Sequence, residues 1–219
     1  MLETISLQTK TWIFWPPQES VKRNIPLAFH MYPSCRCMID STVLRTETPP
    51  SVEQRVLMYS SYKGSHTIKY LIAVTPDGYI CKISKGYGGR TTDSFITNDS
   101  GFLKLTEPGE QVLADKGFPQ IKSEVHKRKA TLLIPPVASN PQFTNEEVDE
   151  SCNIASVRIH AERAIQRIKL SRILSPIPVH LFPHIDEIMQ VCSIIANIQR
   201  PLINERWTND SLLDSQIDD

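Results

Sequence analysis

Apolar and polar positions along the 219-residue chain switch between two periods, and each switch marks an element. The run Cys35-Arg-Cys-Met-Ile-Asp40 is apolar enough for a buried strand, continuing through Ser41–Glu47 toward the paired prolines Pro49 and Pro50. Two β-rich runs, Thr67–Pro76 and Tyr79–Tyr87, flank Pro76-Asp77-Gly78, a strong hairpin signal. Gly86–Arg90 reads as a flexible turn, and Thr91–Leu105 begins a helix capped by Thr92 or Asp93. Glu110–Phe118 holds a short apolar strand ending in Asp115, and Lys129–Pro136 a further strand stopped by paired prolines. Before the first strand, Pro17 opens a short helix.

The period then becomes helical. After a polar loop at Ala138–Asn145, Thr144-Asn-Glu-Glu147 fits a capping box, and a long helix is predicted to about Leu174, where Pro176 and Pro178 end it. Ile154, Val157, Ala161, Ile165 and Ile168 fall in a stripe roughly 80° wide at about 100° per residue. Glu162 lies beside that stripe, on the flank of Arg158 and Lys169. A last helix, Ile185 to about Gln199, aligns Ile185, Ile188, Met189, Cys192, Ile195 and Ala196. Three strands, a helix, two strands and two helices make an α/β domain with a mixed central sheet flanked by helices. The expected organisation is an entry segment over 1–34, one domain over 35–202 and an acidic, disordered tail over 203–219.

Composition narrows the class. The length suits one sizeable core, and no window approaches a membrane-spanning apolar run. The first residues carry an early acid and no apolar core, which speaks against a secretory signal. Five cysteines, none in a CxxC pair, argue against a zinc ribbon or disulfide framework and for a reducing compartment, nucleus or cytosol. Net charge is zero, but unevenly spread. After Pro201, Glu205, Asp210, Asp214, Asp218 and Asp219 stand against Arg206, a balance of minus four that leaves plus four before it. Lys122, Lys127, Arg128 and Lys129 form one basic cluster; Arg158, Arg163, Arg167, Lys169 and Arg172 form another. Either is a phosphate footprint or a solvated face, and composition does not decide.

Three acids call for an explanation. Asp40 and Asp115 each end an apolar strand, and Glu162 flanks the buried stripe of the long helix. Carboxylates are depleted in strands and rarely buried without a partner. Either a basic side chain or a hard divalent ion, Mg²⁺ or Mn²⁺, supplies the counter-charge. The histidines are not at zinc-ligand spacing, and His160, two residues before Glu162, points elsewhere on the helix.

Four segments, in order, carry a resemblance. Cys37–Pro49, the stretch Tyr59–Ser94 with its Tyr-x-x-Tyr-Lys and Gly-Gly-Arg-x-x-Asp motifs, Val112–Phe118 and Ile154–Leu174 resemble the DDE superfamily endonuclease domain of eukaryotic transposases, akin to PIF/Harbinger elements. The likeness runs from about Trp12 to Leu202. It implies a ribonuclease-H-like fold, with Asp40, Asp115 and Glu162 as a catalytic acidic triad and metal ligands. Asp93 matches a fourth metal-binding acid, and N-cap of the following helix is its alternative role. It further implies two divalent ions that clamp the scissile phosphate of double-stranded DNA. Water attack releases a 3′-OH, which then attacks target DNA. Lys116, Arg158 and Lys169, with Lys63 and Lys69, are the implied phosphate contacts. Such transposases carry an N-terminal DNA-binding module, and this chain begins almost at the catalytic domain. The expectation is therefore a separate DNA-binding subunit, or a truncated or domesticated copy serving as a binding module without catalysis. A homodimer that brings two DNA ends together is implied by the resemblance alone.

Overall fold

The computed structural model describes residues 2–136 and 144–202. Most of the expected loop at Ala138–Asn145, the Glu147 side chain of the expected capping box and the tail over 203–219 lie outside the described residues. The first half runs α1 (Leu2–Thr9), α2 (Gln18–Arg23), β1 (Cys35–Arg45), α3 (Val52–Met58), β2 (Tyr59–Ser60), β3 (Ser65–Val74), β4 (Ile80–Ile83) and β5 (Tyr87–Gly88). The second half runs α4 (Asp93–Asp99), β6 (Gln111–Ala114), α5 (Lys122–Lys127), β7 (Thr131–Leu133), α6 (Asn145–Lys169) and α7 (Ile185–Ile198).

The central strand is β1. One edge pairs antiparallel with β3, Asp40 opposite Ile72, and β3 carries β2, β4 and β5. The other edge runs parallel to β6, which is parallel to β7. Antiparallel strands on one side of a central strand and parallel strands on the other, with helices on both faces, make the ribonuclease-H-like fold.

A bulge between Cys35 and Cys37 decides which way β1 points its side chains. It sends Cys35 to one face and Cys37 to the other, although strict alternation would place them together. From there Met38 and Leu44 face α6 and α7, while Cys37 and Ile39 face the core shared with α4 and α5. Asp40 shares the parity of Met38, and Asp115 that of Leu113, so both aim at α6. The α6 stripe Ile154, Val157, Ala161, Ile165 and Ile168 is buried as its periodicity predicts.

Several elements depart from the pattern. α1 is unannounced because it docks on α7 rather than on the sheet: Ser6 and Gln190 exchange hydrogen bonds of 3.2 and 2.8 Å. α7 is therefore covered on two sides. Ile194, on the face of Gln190, is buried, while Ile195 falls at the edge of the expected stripe and is half exposed. α3 is short, and its apolar Val52, Val56 and Leu57 are exposed, so no stripe foretells it. Its start was nonetheless written as Ser51, whose Oγ accepts from Gln54 N. Gly86–Arg90 is not a flexible turn but carries β5 across β3. A Cβ on Gly88 would stand 2.5 Å from Leu57 O, so only glycine lets these backbones meet. The helix expected over Thr91–Leu105 is α4, stopped by Gly101 at φ 75°, then a 3₁₀ turn. α6 ends at Lys169 rather than near Leu174, because the Ser171 N–H bond to Ile168 O tightens the chain into a 3₁₀ turn. No helix among the described residues is long and apolar enough to cross a membrane.

Candidate functional site

Asp40, Asp115 and Glu162 come from two strands and a helix and line one cavity of about 660 Å³ with Arg158 and Lys169. A second cavity of about 600 Å³ adjoins it, sharing Asp40, Ser41, Asp115 and Lys169 and adding Asp93, Lys63 and Lys69. The four sequence-predicted acids thus line one continuous cleft, with Asp40 and Asp115 at its centre.

The carboxylates sit in different surroundings. Asp40 is half-buried, accepts its nearest bond from Ser41 N at 2.7 Å, and has its pKa pushed up to about 6. Burial is the main cause; the negative charges of Asp115 and Glu162 raise it further, against the Ser41 N–H and Arg158, which lower it. Asp115 accepts from Lys116 N at 2.6 Å and is ion-paired to Arg158 at 3.1 Å. Glu162 is paired to the other terminal nitrogen of Arg158 at 3.5 Å, one helical turn away. The Arg158 side chain is only 18 % exposed, against 45 % and 54 % for its two acids. Arg158 thus gives Asp115 and Glu162 a shared positive partner.

Thr92, not Asp93, caps α4: its Oγ1 accepts from Phe95 N at 3.3 Å. That leaves the Asp93 carboxylate facing the cleft, where Lys69 pairs with it at 3.3 Å and also donates to Thr91 O. A Cβ on Gly117 would lie 3.5 Å from Asp93 Oδ2, so the loop after Asp115 passes close to Asp93.

The expected phosphate contacts divide. Lys63 is exposed on the cleft wall beside Tyr62. Lys169 is half-buried, and burial pulls its pKa down while Asp40 pulls it up. Lys69 and Arg158 are engaged with acids rather than open to a phosphate. Lys116 is exposed beside Asp115. Lys127 and Arg128 sit on α5 and its end, where both pair with Glu124 and line neither cavity. His160 does not face the cleft. It is buried and stacked on Phe29 at 5.7 Å, and burial lowers its pKa.

Sequence reading missed Ser41, Tyr62 and Arg90, all on the cleft wall. Tyr62 and Arg90 were visible as letters of the two motifs quoted above, but no period or spacing gave them a task.

The donor set fits a divalent ion in kind, since carboxylate oxygens suit Mg²⁺ or Mn²⁺ and the charges of Asp115 and Glu162 raise the proton affinity of Asp40. Among the described residues no three His, Cys, Asp or Glu side chains stand close enough to hold one ion together. An ion bound here would draw on few protein ligands and several waters, as Mg²⁺ commonly does.

Residues 39–197 match the family model described as DDE superfamily endonuclease. That span is shorter at both ends than the resemblance read from the motifs, and it holds all four acids. Divalent metals are general in the family. No curated protein matches the chain.

Proposed function

Because the chain belongs to the DDE superfamily endonuclease family, we propose that it is the catalytic domain of a cut-and-paste DNA transposase of the PIF/Harbinger group. On this reading it hydrolyses the phosphodiester bond at a transposon end and joins the freed 3′-OH to target DNA. Support comes above all from one observation: Asp40, Asp115 and Glu162 converge on one cleft from β1, the end of β6 and α6.

Each residue then has a role its position supports. Two divalent ions, when bound, would polarise the scissile phosphate and lower the pKa of the attacking water. Asp40, central in the cleft, would be one of their ligands. Asp115 and Glu162 would hold the ions with it, and Asp93, in the second cavity, would be a fourth ligand. Lys63 and Lys169 meet phosphate oxygens along the cleft, and Lys116 positions the strand beside Asp115. Double-stranded DNA is the substrate, the nucleus the compartment, a homodimer the assembly that pairs two ends, and a separate subunit the reader of end sequence.

One observation favours a second reading. Arg158 bridges Asp115 and Glu162, as it would in a domesticated copy that binds DNA or protein and cuts nothing. Nicking of supercoiled plasmid in Mn²⁺ separates the two. The transposase reading expects nicking that Asp40→Asn, Asp115→Asn or Glu162→Gln abolishes. Wild-type nicking retained in the Glu162→Gln variant would discard this metal site. DNA binding without nicking in any variant would make the module the better description.

A further inference from the structure

Arg158 joins two acids through two different nitrogens. Nη1 reaches Asp115 Oδ1 at 3.1 Å and Nη2 reaches Glu162 Oε1 at 3.5 Å. A guanidinium holds such a fork with both ends fixed, and an ammonium cannot. The geometry is set by α6: Arg158 and Glu162 are one turn apart on the flank of the buried stripe, directed toward the end of β6. The side chain is mostly covered, so solvent screens it less than a surface pair. Other cations near the cleft are differently placed. Lys69 is held by Asp93 and Thr91 O, and Lys169 lies toward Asp40.

We propose that Arg158 is the built-in competitor for the divalent ion: its guanidinium spans Asp115 and Glu162, must leave them before metal binds, and so sets the affinity of the site. This rests on the reading of Asp40, Asp115 and Glu162 as metal ligands. The physical basis is exclusion. A guanidinium in contact with one oxygen of each carboxylate takes up that acceptor and repels a second cation arriving at the same groups. Without metal, the same contact relieves repulsion among three acids. Arg158 is therefore a positioning residue with opposite effects on the two states: it stabilises the metal-free fold and weakens metal binding.

The test is calorimetric Mn²⁺ titration of the full chain as wild type, Arg158→Gln and Arg158→Lys, with Asp115→Asn as the control for site-specific binding. Arg158→Gln should bind Mn²⁺ at least about tenfold tighter than wild type. Arg158→Lys should fall between them, since one ammonium leaves one carboxylate free. Equal or weaker binding by both variants overturns the proposal. A second measurement needs no metal: a double-mutant cycle of Arg158→Gln and Asp115→Asn by urea unfolding in chelator. Non-additive stabilities are expected, and additive ones overturn the pairing on which the proposal stands. The failures are distinguishable. Asp115-dependent Mn²⁺ binding that ignores Arg158 overturns this inference alone. Coupling in the cycle with no Mn²⁺ binding by any variant overturns the metal reading and the inference with it. If Arg158→Gln does not fold alone, Arg158→Lys carries both measurements.

Discussion

The two ends of β1 and β6 treat charge in opposite ways. At their starts, Arg36 and Glu110 form an ion pair at 2.9 Å, with side chains 2 % and 0 % exposed. The Arg36 guanidinium also donates to Pro16 O and lies 4.8 Å from the Trp15 ring, and Glu110 accepts from Glu107 N. One cation meets one anion, and the neighbours close around them. At the other ends, Asp40 and Asp115 stand side by side with Glu162 above them, three acids sharing one arginine in an open cleft. A structural pair is balanced and sealed. The cleft keeps three carboxylates around one guanidinium with access to solvent, a crowding that costs stability.

The largest expected effect separates the ends by activity. Asp40→Asn should reduce Mn²⁺-dependent nicking by about 10³-fold or more, equivalent to about 4 kcal/mol of barrier. A folded double variant, Arg36→Met with Glu110→Leu, should keep it within a few-fold. If the double variant loses nicking as Asp40→Asn does, the two ends are not functionally distinct.

Next comes stability at the sealed end. Arg36→Met alone strands a buried carboxylate and should cost about 3–5 kcal/mol in urea unfolding, while the double variant recovers most of that loss. A loss below about 1 kcal/mol would show that the pair is not sealed.

At the open end the sign reverses. Asp40 titrates at about 6 when folded and near 3.8 otherwise, so the folded state holds its proton longer. Stability from this group is full below about pH 4 and is lost as pH rises through 6. In chelator at pH 8, Asp40→Asn should therefore be more stable than wild type, by up to about 3 kcal/mol. The gain should shrink as pH falls from 6 to 4. A destabilised Asp40→Asn at pH 8 would sink the account of a carboxylate strained by burial and by its acidic neighbours.

The smallest effect lies away from the cleft. His160 is buried and holds its proton less readily than usual. Its contribution is present when neutral and fades as pH falls below the ordinary histidine value, because only the unfolded chain gains the proton. His160→Phe should flatten that acid-side decline in thermal melting, and an unchanged slope would assign it to other groups.

Much of this was legible in one dimension. β1, the hairpin at Pro76-Asp77-Gly78, β6 and the α6 stripe each announce themselves by a local period or turn signal, because each buries one face against the sheet or core. α1, α3 and β5 do not. α1 packs on another helix, α3 leaves its apolar residues exposed, and β5 depends on glycines that let two backbones approach.

The site divides along the same line. Asp40, Asp115 and Glu162 could be picked out from the chain because an acid at the end of an apolar strand, or on the flank of a buried stripe, is visible in local pattern. Their meeting could not, since it depends on the bulge at Arg36 and on the parallel register of β1 with β6. Nor could the sequence tell a phosphate-binding arginine from one engaged with acids. Arg158 and Lys169 read alike as cations on one flank of a helix. Only packing decided that the first bridges Asp115 and Glu162 while the second lies toward Asp40. Local period is written by neighbours along the chain, whereas the partner of a charge is chosen by whatever the fold brings within a few ångströms of it.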